Sequence, residues 1–335
     1  MPSSGRNPAP AAVSSEPALF FALARAALGR EPSAVEPLPG DVGRRRYFRL
    51  AFSDGATALG VFYPPEELDA RRRWIAARAF LAPRVRVPKV LADDGASLQI
   101  VEDLGAEDLA RRLATAPAER EERLAHAVAA AAAIADLPDP GVNPPFDAAL
   151  FRRELDLARE AVFELWLGDP LSESERAAHD RFADALCREV LAHPRVLCHR
   201  DYHGNNLFPF AREVAAIDFQ DLRLGPDAYD LASLLWERTT LEWMTPRLAG
   251  DAIADLARRR GLDASDLSRR LDRVLLQRAW KACGTFARAV AQGRGEAYRR
   301  YLPGEVALVG RLLSGSPEDA GFREVYDRRL APLLS

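Results

Sequence analysis

Apolar positions change their period along this chain, and the change divides it in two. Up to about residue 101 they fall in short alternating runs separated by Gly, Pro and Asp, the pattern of half-buried strands. Beyond Asp108 they recur every three or four residues with few interruptions, the pattern of packed helices. In the first part, Ser15-Glu16-Pro17 opens a helix with Leu19, Phe20, Leu23 and Ala27 on one face and Gly29 near its stop. Val35–Leu38 and the stretch from Gly40 to Leu50 read as strand, glycine turn, strand. Ala58–Tyr63 is the next strand, ended by Pro64-Pro65, and a charged helix follows over 66–80. Val85, Val87 and Val90 suggest an edge strand around Pro88, Asp93-Asp94-Gly95 a turn, and Ser97–Val101 a returning strand. Helices are expected over 107–137, 147–167, 172–192, 226–239, 247–259, 264–291, 293–314 and 318–331, with Pro138, Pro140, Pro144 and Pro145 marking the clearest linker.

One stretch of the second part breaks the helical period. Val196-Leu197-Cys198 and Val214–Ile217 are short apolar runs, and Gly204, Asn205, Asn206 and Pro209 between them are turn formers. A β-hairpin is expected, with Asp201 and Asn206 on its loop and Asp218 at a strand end. His199-Arg200-Asp201, then Asn206, then Asp218-Phe219 is the order of groups that phosphoryl transfer requires. One Asp accepts the proton of the attacking hydroxyl, and an Asn and a second Asp are oxygen ligands for Mg²⁺ on the phosphates. Two plainer readings compete. His199, Asp201 and His203 form an H-x-D-x-H cluster that could hold zinc, but this leaves Asn206 and Asp218 unexplained. A self-capping polar turn explains any one of the residues but not their joint spacing. His199 reads as structural within the loop.

Composition narrows the partners. A net charge of -3 over 335 residues offers no general footprint for nucleic acid or an anionic membrane. No apolar stretch is long enough for a membrane span, and residues 1–14 lack the apolar core of a signal peptide and read as a disordered start. Of 46 basic residues only Lys89 and Lys281 are lysines, which looks like codon bias. Three scattered cysteines, Cys187, Cys198 and Cys283, have no metal spacing and suit a reducing cytoplasm.

The Gly40–Gly43 turn followed by Arg44, Arg45 and Arg46 can present backbone N–H groups and charge to phosphates, although an ordinary hairpin with a basic edge would look the same. No lysine lies between Met1 and Val87, so either an arginine of the 44–46 group serves where protein kinases use a strand lysine, or the phosphates rely on Mg²⁺ and backbone groups. Glu102-Asp103-Leu104-Gly105 is where strand gives way to helix, and backbone groups there could meet an adenine. Asp230, just after Pro226, can reach back to orient the catalytic loop.

These residues resemble the aminoglycoside phosphotransferase-like kinases, and within them the bacterial kinases that phosphorylate N-acetylmuramate and N-acetylglucosamine at the anomeric hydroxyl. The resemblance rests on Arg45-Arg46-Tyr47-Phe48-Arg49, Glu102–Gly105, His199–His203 with Asn206-Leu207, and Ile217–Asp221 with Gly225-Pro226 and Tyr229-Asp230-Leu231. Leu276-Gln277-Arg278 with Lys281, Gly284 and Phe286–Arg288 adds to it. It implies an α+β, protein-kinase-like fold of two lobes. These are a nucleotide-binding lobe over 15–101 with a small antiparallel sheet, a hinge at 102–106, and a helical lobe over 107–335 with the catalytic loop and acceptor site. By resemblance Asp201 is the base, and Asn206 and Asp218 hold Mg²⁺. Arg45, Arg46, Tyr47, Phe48, Glu102 and Leu104 bind ATP, and His199 and Asp230 orient the loop. His203, Gln220, Glu154, Arg278 and Lys281 are candidates for the acceptor. The expected partner is a small sugar, with no nucleic acid and no membrane, for a monomeric cytoplasmic enzyme of cell-wall recycling. An aminoglycoside or choline acceptor, or a catalytically inactive nucleotide-binding module, are the alternatives.

Overall fold

Five strands of the first part form one antiparallel sheet, in the order β1-β2-β3-β5-β4. They are β1 (Ala34–Pro37), β2 (Arg46–Ala51), β3 (Thr57–Phe62), β4 (Val90–Asp93) and β5 (Leu98–Glu102). The computed structural model describes residues 16–38, 44–236, 240, 243–293, 296–313 and 317–334. The disordered start over 1–14 and the glycine turn Gly40–Gly43 lie outside the described residues, as do the last residues of the helices expected over 226–239 and 293–314. Helix α1 (Glu16–Leu28) covers one face of the sheet, where Phe20 and Ala24 join Phe48, Leu50, Phe52, Ala58 and Ile100 in a closed apolar core. Gly60 makes this possible, because a Cβ there would stand 2.7 Å from the Phe20 ring.

Alternation along β2 therefore sends Phe48 and Leu50 inward and Tyr47 and Arg49 to the other face. Val85–Val87 is not a strand. Arg86 instead makes an isolated bridge to Ala215, and Arg73–Val87 packs with the helical part. The two compact units are thus the residues up to Arg72 with Pro88–Leu104, and Arg73–Val87 with everything from Gly105. One boundary falls inside helix α2 (Leu68–Leu81), within the expected first lobe, and another between Leu104 and Gly105, within the segment expected as a hinge over 102–106.

In the second unit the expected long helix 107–137 is broken at Pro117 into α3 (Leu109–Thr115) and α4 (Arg120–Ala135). Helix α5 (Ala148–Arg159) opens on Asp147, which accepts the N–H of Leu150, and runs on as a π-helical segment Glu160–Trp166. Helix α6 (Glu173–Leu191) starts with a capping box between Ser172 and Glu175. The remaining helices are α7 (Tyr229–Leu235), α8 (Pro246–Arg260), α9 (Ala264–Ala291), α10 (Glu296–Arg299), α11 (Leu302–Leu312) and α12 (Ala320–Arg329). Proline again divides an expected helix, with Pro303 opening α11. The long helix α9 packs against α5, α7 and α11, with Leu271, Val274, Leu276, Trp280 and Cys283 fully buried. No described helix is long and apolar enough to cross a membrane.

The expected hairpin is two separate ladders. β6 (Arg195–Cys198) pairs with β9 (Arg223–Pro226), and β7 (Leu207–Phe210) pairs with β8 (Glu213–Ala216). Pro209, expected in a loop, sits in the short strand β7 opposite Val214 instead.

Candidate active site

The loop leaving β6 is fixed from beneath. Asp230, in the first turn of α7, accepts the backbone N–H of His199 at 2.6 Å and that of Arg200 at 3.0 Å. Arg200 has φ 81° and Asp218 φ 62°, the two non-glycine residues with positive φ among those described. Such conformations cost on the order of 1–3 kcal/mol and persist where neighbours over-determine them. The neighbours here are explicit. Arg278 of α9 donates to the Arg200 carbonyl at 3.2 Å and to Ser233 of α7 at 2.7 Å. His199 is fully buried, with Nε2 2.9 Å from the Ile217 carbonyl oxygen. Burial pushes the Asp230 carboxyl up, while His199 and the two N–H donors pull it the other way.

Asn206 closes the loop. Its Nδ2 donates to the Asp201 carbonyl at 2.9 Å, which commits the amide nitrogen and leaves Oδ1 as the oxygen able to meet a cation. Its backbone carbonyl receives Ile217 N–H at 2.9 Å, so the loop and the strand that leads to Asp218 are stitched together. Gln220 donates to Asp218 Oδ1 at 2.9 Å, and Asn143 donates to the carbonyls of Gln220 and Leu222, both at 2.9 Å. Phe219 stacks on Trp74 at 5.3 Å between ring centroids. A carboxylate and an amide oxygen are hard donors, the chemistry Mg²⁺ prefers.

Asp201 stands half-buried among cations. Burial raises its carboxyl, but Lys281, then Arg278, Arg200 and His199 outweigh this and hold it below the ordinary aspartate value. It is therefore ionised at neutral pH, the state a proton acceptor needs. Glu154 of α5 receives Gln277 at 2.8 Å, Lys281 at 3.1 Å and Arg200 at 3.5 Å. Arg200 also meets Asp221 at 3.4 Å.

Several expected site residues stand elsewhere. Phe48 is 3% exposed inside the core of the first unit and cannot touch a nucleotide. Arg46 is drawn to the buried Glu16 and over the Phe62 ring, on the α1 face. Arg45 acts instead on Tyr63, as does Tyr47, so these two share the opposite face. Glu102 is turned back on Lys89, to whose carbonyl it donates at 2.8 Å and whose N–H its carboxylate accepts at 3.1 Å; Leu104 is half-buried just beyond. Gln220 holds Asp218, and Arg278 holds the Arg200 carbonyl and Ser233. His203 lies half-buried with Nε2 3.4 Å from Asn206 Nδ2.

Sequence reasoning missed Asn143, hidden in a proline-rich linker, and Ser233 and Arg223, which carry no spacing signal. The zinc alternative fails on geometry. Among the described residues, the one cluster with three metal-capable groups within 4.8 Å is Asp156, His179 and Asp180. Arg152 occupies both of those carboxylates, and Trp280 Nε1 donates to His179 Nε2 at 3.3 Å, which puts the ring proton on Nδ1 and removes it as a ligand.

A profile of the phosphotransferase enzyme family matches residues 34–262. An N-acetylmuramate/N-acetylglucosamine kinase of Pseudomonas aeruginosa is 30% identical over 309 residues, 86% of this chain and 90% of that protein. A protein of the same description from Neisseria meningitidis serogroup B is 30% identical over 276 residues, covering 78% of this chain and 80% of its own. Among solved structures, the GDP complex of wild-type aminoglycoside 2'-phosphotransferase-IIIa superposes with TM-score 0.61 at 15% identity, over 90% of this chain and 98% of that one. The fold is thus that of the protein-kinase-like phosphotransferases.

Proposed function

The chain belongs to the phosphotransferase enzyme family, and on that footing we propose that it transfers the γ-phosphate of ATP, with Mg²⁺, to the anomeric hydroxyl of N-acetylmuramate, N-acetylglucosamine or both. The product is a sugar 1-phosphate, and the enzyme works as a cytoplasmic monomer in cell-wall recycling. The observation that carries this reading is Asp201, kept ionised chiefly by Lys281, Arg278 and Arg200 on a loop pinned by Asp230 and Arg278. The names of the relatives supply the acceptor.

Asp201 accepts the proton of the attacking hydroxyl. A hemiacetal hydroxyl is more acidic than an ordinary alcohol, so a base with a depressed pKa suffices. Asn206 through Oδ1 and Asp218 through its carboxylate would hold Mg²⁺, which when bound offsets the charge on the phosphate oxygens. His199, Asp230, Arg278 and Gln220 keep these groups in register. Arg45 and Tyr47, with the backbone of Glu102 and Leu104, are the proposed nucleotide contacts.

The test is a coupled ADP-release assay with both sugars, followed by phosphorus NMR of the product. An anomeric phosphate couples to H1; a 6-phosphate does not, and finding one would refute the reading. Asp201→Asn should lose about 10²–10⁴-fold in kcat with nucleotide affinity retained, and Asp218→Ala should lose Mg²⁺-dependent nucleotide binding in calorimetry.

A further inference from the structure

Beside Asp201, whose carboxylate Lys281, Arg278 and Arg200 also face, the described residues of the second unit gather several cations on few carboxylates. Arg200, Arg223 and Lys281 share two carboxylates, Glu154 and Asp221. Glu154 Oε1 meets both Lys281 at 3.1 Å and Arg200 at 3.5 Å, while Gln277 takes Oε2. Asp221 meets Arg200 at 3.4 Å and Arg223 only at 3.9 Å, with Arg223 also donating to its backbone carbonyl at 3.3 Å. Arg278, the fourth cation, is spent on the Arg200 carbonyl and Ser233. Arg152, on the same helix as Glu154, is spent on Asp156, Asp180 and Asp184.

Lys281 and Arg223 are different. Lys281 commits one contact of a three-donor ammonium, and its side chain is 29% exposed. Arg223 has five donors and Asp221 as its anionic partner, with its guanidinium 5.3 Å from the centre of the Phe146 ring. Burial and then the like charge of Arg200 push the Arg223 guanidinium below its ordinary value, which marks a place where a further anion would be welcome. Lys281 is also the lone lysine of the second unit, in a chain that elsewhere uses arginine. A cationic acceptor finds the opposite: the two carboxylates it would need are already shared by three cations.

We infer that Lys281 and Arg223 form an anion subsite beside Asp201 that takes the carboxylate of the acceptor, so the enzyme prefers a carboxylate-bearing N-acetyl amino sugar to its neutral counterpart. The inference rests on the acceptor reading above, and deepens it by naming the residues that separate the two sugars. Lys281 supplies a directed N–H donor and charge to one carboxylate oxygen, and Arg223 supplies the second. The hydroxyl then stays with Asp201.

The experiment compares kcat/KM for N-acetylmuramate and N-acetylglucosamine in the wild type, Lys281→Met and Arg223→Gln. A charge-assisted hydrogen bond corresponds to about 10–100-fold in affinity. Lys281→Met removes a charge beside Asp201 and so slows both sugars, but it should lower kcat/KM for N-acetylmuramate by roughly that factor more than for N-acetylglucosamine, with the excess loss in KM. Arg223→Gln should shift the ratio in the same direction. Should Lys281→Met fold poorly with Glu154 left short of a partner, the double variant Lys281→Gln/Glu154→Gln removes the pair together and must show the same loss of preference. An unchanged ratio in all variants, with both sugars turned over, overturns the subsite. Equal losses on both sugars with a raised KM for ATP also overturn it, and assign the charges to the nucleotide phosphates. A wild type that phosphorylates neither sugar refutes the acceptor reading itself.

Discussion

Asp230 accepts the N–H of Arg200 at 3.0 Å, and Arg200 is the loop residue whose backbone stands at φ 81°. The carbonyl of the same residue is held by Arg278, so the residue before Asp201 is clamped on both sides. Asp230→Ala would leave two N–H groups without their acceptor, at about 1–3 kcal/mol each. We expect a stability loss of about 2–4 kcal/mol in urea and a fall in kcat of about 100-fold, since misplacing a catalytic group by an ångström has that effect. Ser233→Ala removes one partner of Arg278 and should change kcat less than tenfold. An Asp230→Ala enzyme with near-normal kcat would show that the loop holds itself.

Arg45 and Arg46 are neighbours with opposite duties. Arg46 belongs to Glu16 and the Phe62 ring, whereas Arg45 acts on Tyr63 across the other face of the sheet. Arg45→Ala should raise the KM for ATP by about tenfold with little effect on melting, as expected for a lost phosphate contact. Arg46→Ala should do the reverse, lowering stability by about 1–2 kcal/mol because Glu16 is 7% exposed and loses its cation. Equal KM effects from the two would remove the distinction.

The pattern of residues that revealed the fold and the one that hid parts of the site are physically different. Periodicity exposes what a helix or strand buries, so the five-stranded sheet and the α9 core were readable, as was the Asp201–Asn206–Asp218 order. Phe48 was misread because a motif position says nothing about which face of β2 it occupies, and alternation with Leu50 settles that. Asn143 bonds the carbonyls of Gln220 and Leu222 across 77 and 79 residues, and Ser233 bonds Arg278 across 45. Such pairs have no period, and composition does not register them. The apolar period runs on through Pro117 and Pro303 and hides the helix breaks there, which follow from proline's missing N–H.

His179 sets a pH limit on stability. It is fully buried among Phe182, Trp280 and Phe322, and accepts a hydrogen bond from Trp280 through Nε2. Burial, followed by the charge of Arg159, lowers it to about 3 from an ordinary 6.5. His193 is lowered to about 4, again chiefly by burial. The unfolded chain therefore binds more protons than the folded one between these values, and stability must fall as pH drops. We expect the loss to begin near pH 6.5 and to grow down to about pH 3, and His179→Gln to flatten the curve in urea melts at several pH values. A curve as steep in the variant as in the wild type would assign the acid sensitivity to carboxylates.

Gly284 offers the sharpest test of how packing reaches the site. A Cβ there would lie 2.3 Å from Ala158 Cα and 2.7 Å from Ala158 Cβ, so α5 and α9 touch backbone to backbone. Two effects oppose each other in Gly284→Ala. Helix propensity favours alanine by about 1 kcal/mol, while forcing apart two close-packed helices costs about 1–3 kcal/mol and more where the backbone itself obstructs. The steric effect should win, with a net loss of about 2 kcal/mol. Gly250 in α8 is the control, because a Cβ there meets nothing within 4 Å. Gly250→Ala should raise the thermal midpoint and Gly284→Ala lower it. One turn along the same helix pair, Glu154 holds Gln277 and Lys281 at 2.8 and 3.1 Å, so separating the helices also loosens the acceptor side. Gly284→Ala should consequently raise the acceptor KM several-fold while leaving the KM for ATP nearly unchanged. Adding Ala158→Gly to that variant removes the methyl group of residue 158 but leaves its backbone in the way, and should rescue only part of either loss. A Gly284→Ala enzyme that melts higher than the wild type, with acceptor KM unaltered, would show that the two helices have room to spare.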